Sequence, residues 1–308
     1  MLRYVVQRLL QGLVVIFLVS LTSFIILQLA PGSPVDILIG EAQVSQEQID
    51  AITRKWGLDQ PWHVQYLTWL GNVFTGDLGD SVIRSGTPVT QMLADAAPVT
   101  LRLNALALTF SIALAIPLGV LAAVRRHSWL DYGSMIGSSL GIALPNYWVA
   151  LMLIIVFSLN LGWLPPYGSG SWKSYVLPVA VLAAQEMAIL ARLTRGATIE
   201  LLQQDFVTTA RAKGLKEWLV VSRHVVRNAM LPIVTMIGYR IAFILSGTIV
   251  VETVFAWPGL GQLFFTSIDR LDYQVVQAIV LLLSTVVVVG NLLTDLAYAF
   301  IDPRIRLR

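Results

Sequence analysis

The feature that most constrains this chain is a set of long runs without a charged residue, over residues 12–30, 103–124 and 132–164. About 20 consecutive apolar residues span the hydrocarbon core of a bilayer as a helix. In hydrocarbon the backbone must bond to itself, so such runs fold as helices and not as open strands. Of the 308 residues, 13% are charged and 56% hydrophobic, where soluble domains carry roughly 25% charged residues. Mean hydropathy is +0.73. The fold class is therefore all-α integral membrane. Further apolar runs at 175–191, 230–251 and 274–294 bring the expected count to six transmembrane helices.

The first run is too long for a signal-peptide core of roughly 7–15 residues, and it ends in LAPGSP without an A-x-A site, so it is read as a retained helix. The run 132–164 is too long for one straight span. Pro145 is expected to kink it or to separate a span from an interfacial entry segment. Placing the N-terminus inside puts fourteen of the 21 Lys/Arg on inner segments, which orients the chain with both termini cytoplasmic. The net charge of +3 resides in those segments, and no aromatic-interleaved basic stripe accompanies it, so nucleic acid is not an expected partner.

Residues 31–98 form the longest expected non-membrane segment, extracytoplasmic in this orientation. Ser45 and Gln48 are spaced as a capping box for a helix ending near Gly57. Pro61 begins PWHVQYLTWLGNVF, and Thr87-Pro88 begins PVTQMLADA, with a turn-like GDLGDS between them. Trp56, Trp62, Tyr66 and Trp69 are candidates for a headgroup-level aromatic belt. Between spans five and six, WPGLG predicts a turn and LGQLFFTSI a short re-entrant or interfacial helix.

Residues 205–232 read DFVTTARAKGLKEWLVVSRHVVRNAMLP, with five Lys/Arg against two acids, and lie between two apolar runs. So charged a segment belongs outside the bilayer. It is also patterned. Residues 208–213 read as a helix, Gly214 supplies a sharp turn, and Leu215, Trp218, Leu219, Val225 and Val226 fit one face of a second helix. Arg192 and Arg195 are expected to stop the fourth span just before this loop.

The sequences TTARAKGL and RNAMLP resemble the EAA loop of ABC-importer permeases. With Gly214 at the motif glycine, Thr208, Thr209 and Ala210 occupy the three naming positions, two of which depart from Glu-Ala-Ala. The form ARAKGL with a longer gap to Leu231-Pro232 resembles the dipeptide, oligopeptide and nickel permeases. MLRYVVQRLL, QYLTWLGN, VETVFAWPGLGQL and IDPR extend the likeness over nearly the whole chain. The resemblance implies a first segment, 1–98, holding one helix and the extracytoplasmic helices, and a five-helix permease core, 99–308, with a coupling loop at 196–230. It implies that Thr208, Thr209, Ala210, Arg211, Ala212, Lys213, Gly214 and Leu215 engage an ATPase. It implies as partners a homologous second permease, two ATPase subunits, an extracytoplasmic solute-binding protein and the lipid of a bacterial cytoplasmic membrane. The implied cargo is di- or oligopeptides, with nickel chelates or glutathione as family alternatives. ATP and magnesium would be held by the partner subunits and no cofactor by this chain.

Glu186 and Arg240 are the ionisable residues deep in spans. Facing lipid unpaired, each costs about 2.5–3.5 kcal/mol on insertion scales. They pair with each other, or line a solute path and meet the charged ends of a zwitterionic peptide, or Arg240 snorkels to one surface. Asn146 is a further path candidate; Asn104, Asn160, Asn291 and Asp295 are weaker ones. Gly133, Gly137 and Gly141 read as a helix-packing face. There is no Cys, no metal-ligand spacing among His63, His127 and His224, no G-x-x-x-x-G-K-[ST], no G-x-S-x-G and no H-E-x-x-H. An embedded enzyme is thereby disfavoured. An ion-coupled secondary transporter or channel, working through Glu186 without an ATPase, remains the alternative.

Overall fold

The computed structural model describes residues 2–30, 47, 50, 53–54, 57–84, 86–242, 245 and 248–301. Most of the expected helix beginning at Ser45/Gln48, Trp56 and the tail after Ile301 lie outside the described residues, as does the side chain of Asp295. Among the described residues the regular structure is helical throughout: α1 (Leu2–Leu29), α2 (Trp62–Phe74), α3 (Val89–Val124), α4 (Trp129–Ala143), α5 (Asn146–Leu153, prolonged by a π-helical turn Ile154–Asn160), α6 (Trp172–Leu202), α7 (Asp205–Ala212), α8 (Glu217–Leu219, prolonged by a π-helical turn Val220–Val226), α9 (Arg227–Ala242), α10 (Ile249–Val254), α11 (Leu260–Asp269) and α12 (Tyr273–Ile301). Four of these helices are long and apolar enough to cross a membrane, or five if α4 and α5 form one broken span.

The break between α4 and α5 is a bend of 107°. Its cause is local. Leu144 precedes Pro145, whose ring drives its neighbour out of the helical region, and Leu144 has ψ 130°. Pro145 then N-caps α5 with ψ 137°.

Two compact units arise. One comprises residues 1–100, 245–249 and 258–308, and the other 101–244 and 250–257. The expected boundary between residues 98 and 99 falls within α3. That helix runs 36 residues, about 54 Å at 1.5 Å per residue, because PVTQMLADA continues into the second apolar run instead of forming a separate outer helix.

In the first unit α1 packs along α12. Gly12 permits close approach, since a Cβ there would lie 2.5 Å from Val288 Cγ1. Val89, Met92, Leu93 and Ala96 of α3 form a core with Leu260 of α11 and Val275, Ala278 and Ile279 of α12. The first amide of α11, Leu260 N–H, donates to Thr100 Oγ1 at 2.8 Å, which satisfies one donor that a helix start leaves open. Tyr66 of α2 is not part of an aromatic belt. It is 5% exposed, its hydroxyl lies 2.8 Å from Ser20 Oγ, and its ring meets Phe17 and Phe24. The GDLGDS turn is pinned by the buried Asp272, whose carboxylate accepts from Ser81 Oγ and from the Val82 N–H.

In the second unit α6 is the central element, with α3, α4, α5 and α9 against it. It does not stop at Arg192 or Arg195 but continues to Leu202 for 31 residues, with Pro178 inside it. Basic side chains are good helix formers, so charge alone does not end a helix. Small residues bring its neighbours close. A Cβ on Gly119 of α3 would lie 2.6 Å from Thr194 Cβ and 2.7 Å from the Ala191 carbonyl oxygen, and one on Gly141 of α4 would lie 3.0 Å from Ala188 Cβ. Among the described residues Gly133 and Gly137 have no neighbour within 4 Å of such a Cβ, and of the three spaced glycines Gly141 is the one that packs closely against them. The expected fifth span is not one helix. Between α9 and α10, Leu245 lies in a turn and Thr248 is non-helical.

Gly119→Ala is expected to destabilise the protein by about 1–3 kcal/mol through overpacking against backbone, whereas Gly137→Ala is expected to be neutral or to stabilise by up to about 1 kcal/mol through helix propensity. Thermal unfolding of the two purified variants in detergent checks both.

Candidate functional site: a packed loop and a charged pair on one helix

The loop after α6 is built on a small apolar base. Leu201 and Leu202, at the end of α6, pack on buried Val207 and Ala210 of α7 and on buried Val220 and Val225 beyond it. α7 therefore presents Thr208, Thr209, Arg211 and Ala212 outward, with Ala210 turned into the base. The predicted helix at 208–213 is thus α7, somewhat earlier at both ends, with Lys213 as its C-cap.

Gly214 closes α7 in a Schellman arrangement. Its φ is +78°, its N–H donates to the Arg211 carbonyl at 2.9 Å, and the Leu215 N–H donates to the Ala210 carbonyl at 3.3 Å. Nothing among the described residues lies within 4 Å of a Cβ built there, so backbone conformation and not crowding is what favours glycine. Across this turn Arg211 and Glu217 form a two-pronged ion pair, Nη2–Oε1 at 2.6 Å and Nε–Oε2 at 3.1 Å. Both side chains are about half exposed, 45% and 53%, so the pair shapes the turn more than it stabilises the fold.

The second helix differs from its sequence reading. Leu215 and Trp218, expected on the packed face, are exposed, Trp218 to 65%. Only Glu217–Leu219 is α-helical. The following π-turn widens the repeat toward i→i+5, which puts Val220 and Val225 inside. Phe206, Leu215 and Trp218 are left as exposed large apolar side chains on an otherwise polar surface.

Further along α6, Gln185 and Glu186 meet two other helices. Asn146, the first residue of α5, donates from Nδ2 to Gln185 Oε1 at 3.0 Å. Glu186 Oε2 lies 3.0 Å from Arg240 Nε of α9, an ion pair by distance that lacks hydrogen-bond alignment. The side chains are 24% and 28% exposed. The structure thus gathers Glu186, Arg240 and Asn146 around one stretch of α6 and places the 208–215 set at that helix's far end.

Sequence reasoning missed Asp131 and Gln185. Asp131 is 2% exposed and accepts both prongs of Arg195 of α6, with Nη2–Oδ2 at 2.9 Å. The spacing Ser128-x-x-Asp131 is a visible helix-start signal, and Ser128 Oγ does accept from the Asp131 N–H at 3.3 Å. Its partner, distant in sequence, left no signal. Among the described residues no group of three or more His, Cys, Asp or Glu is arranged to hold a metal ion.

The Arg211 guanidinium holds the Glu217 carboxyl below its ordinary value, and the carboxylate raises Arg211 in turn. With a depressed folded value, the bridge contributes above the unfolded glutamate pKa and is lost as pH falls through the folded one. Carbon-13 titration of a labelled Glu217 carboxyl should give a midpoint below that of an ordinary glutamate, and Arg211→Gln should move it up.

Residues 115–307 match the family described as "Binding-protein-dependent transport system inner membrane component", and residues 1–113 match that described as its N-terminal membrane component. The chain is 41% identical over 312 residues to the oligopeptide transport system permease protein AppB of Bacillus subtilis (strain 168), with 98% of each chain covered. It is 40% identical over 306 residues to the glutathione transport system permease protein GsiC of Escherichia coli (strain K12), with 99% of each covered. Its fold is similar to a chain of an amino acid ABC transporter (TM-score 0.52, 16% identity, 67% of this chain and 92% of that one). It is also similar to a chain of the MetNI methionine ABC transporter in an inward-facing conformation (TM-score 0.51, 17% identity, 67% and 96%). The chain belongs to the family of binding-protein-dependent transport system inner membrane components.

Proposed function

We propose that this chain is a transmembrane permease subunit of an ATP-driven importer that carries di- or oligopeptides across the cytoplasmic membrane. The family, together with full-length likeness to an oligopeptide and a glutathione permease subunit, supports this reading and not the ion-coupled alternative. The observation that carries the mechanism is the loop at 205–226. It is rigidly based, held by a Schellman turn, and exposes Phe206, Leu215 and Trp218 beside Arg211 and Lys213.

In this reading α7 and the Gly214 turn seat in an ATPase subunit, and residues 208–215 make the contact, apart from Ala210, which is buried in the loop's own base. ATP and magnesium belong to two such partner subunits. A second homologous permease completes the pathway, and an extracytoplasmic binding protein delivers the solute. Six helices cross the membrane, α9 among them, with both termini and the loop in the cytoplasm. A ligand shifts a conformational equilibrium only by binding its two states unequally. Closure of the ATPases therefore has to change the contacts of the α7 region between inward- and outward-open states. Glu186, Arg240 and Asn146 line the solute path here. Glu186 and Arg240 are each about a quarter exposed and not aligned as a hydrogen bond, so each can exchange its partner for one charged end of a peptide.

Mild extraction of the tagged chain from its native membrane, followed by mass spectrometry, should return a second permease and Walker-motif subunits in stoichiometric amount. A lone chain that moves labelled peptide in liposomes without ATP would overturn the proposal. Gly214→Val forces a β-branched residue into the left-handed region at a cost of about 1–2 kcal/mol. It should strip the ATPases from the complex while leaving membrane insertion intact.

A further inference from the structure

We infer that Asp131 and Arg195 form a positioning clamp that makes the α3–α4 turn move with α6, and that import by this subunit depends on it. The inference rests on the permease reading above. Three observations carry it, all within the second unit.

The Asp131 carboxylate holds two things at once. It accepts the fork of Arg195, and its Oδ2 accepts the His127 N–H at 3.0 Å. His127 is a non-glycine residue at φ +64°, in the left-handed region that L side chains rarely adopt, so this carboxylate bonds to the strained residue of the turn. A buried carboxylate with two charge-assisted bonds and one backbone bond has one geometry available to it.

Arg195 sits between the two functional regions of one continuous helix. It is nine residues, about 13 Å, beyond Glu186 and seven residues, about 10 Å, before Leu202, whose side chain packs in the base of the loop. Whatever displaces the loop displaces Arg195 with it.

Neighbouring polar groups on α6 do not duplicate the link. Thr194 and Thr198 are fully buried, yet their hydroxyls have no hydrogen-bond partner among the described residues, and Thr194 meets Gly119 of α3 through its carbon atoms. A contact between a glycine and a threonine side chain can slide, whereas a bidentate ion pair cannot without breaking. The clamp is thus the forked tie from the α3–α4 turn to the end of α6 nearest the loop; a further polar link from α3, Ser111 Oγ–H donating to the Ala183 carbonyl at 3.2 Å, lies twelve residues before Arg195, on the far side of Glu186 from the loop. Arg240, on α9, meets α6 at Glu186 by distance alone and is the joint that is free to change.

The test uses the complete complex in liposomes and measures peptide imported per ATP hydrolysed, alongside assembly with the ATPase subunits. Asp131→Asn removes the charge, and Arg195→Lys keeps the charge but loses the fork. Both complexes should assemble and hydrolyse ATP, with peptide imported per ATP falling on the order of tenfold, the size of a typical coupling effect. The exchange D131R/R195D should recover part of the loss. If Asp131→Asn does not fold, Arg195→Lys alone decides. An unchanged ratio in either folded variant, or hydrolysis and import falling in proportion, would sink the clamp and leave the permease reading standing. Failure of the unmodified chain to assemble with any ATPase would sink that reading instead.

Discussion

Charged and amide side chains drawn away from water need partners inside the protein, and α6 carries three such half-buried groups that reach across to other helices. Along one 31-residue helix lie Gln185, Glu186 and Arg195, each answered by a different neighbour: Asn146 of α5, Arg240 of α9 and Asp131 of α4. The polar contacts choose which neighbour sits where, and small residues set how closely. Gly119 and Gly141 let α3 and α4 approach α6 at distances a side chain would forbid. Dispersion over such close contacts holds helices together when lipid offers no hydrophobic drive between them.

The three polar contacts are not equivalent. Asp131–Arg195 is forked and short, with Asp131 buried and Arg195 21% exposed, and loss of the arginine would leave the buried carboxylate without its cation. Glu186–Arg240 is close but misaligned and partly open. The first has the character of a fixed joint and the second of a contact that can be exchanged. A transporter needs both kinds, because a subunit held everywhere could not alternate and one held nowhere could not transmit displacement from its loop.

The loop shows the same division at smaller scale. Its inner face is fixed by Val207, Ala210, Val220 and Val225 on the end of α6, and its outer face carries Phe206, Leu215 and Trp218 in the open. A π-turn produces this division by shifting the repeat of apolar positions. Residues that a regular α-helix would hide are thereby turned outward beside the Gly214 turn.

Much of this was legible in the sequence. Uncharged runs marked the membrane helices because length and apolarity are local properties, Pro145 marked the break because its ring restricts its own neighbour, and Gly214 marked the turn because only glycine takes positive φ freely. The ARAKGL and VETVFAWPGLGQL segments pointed to the family. Helix ends were legible only in part: α3 absorbed an expected outer helix and α6 ran through two arginines, since neither charge nor an outer position breaks hydrogen bonding along a helix. The periodicity of residues 215–226 misled because a π-turn has no composition of its own. What the tertiary structure alone decided was partnership. That Tyr66 packs on α1, that Glu186 meets Arg240 and that Asp131 meets Arg195 depends on which helices lie side by side, and pairing between residues far apart in a chain leaves no mark in local pattern.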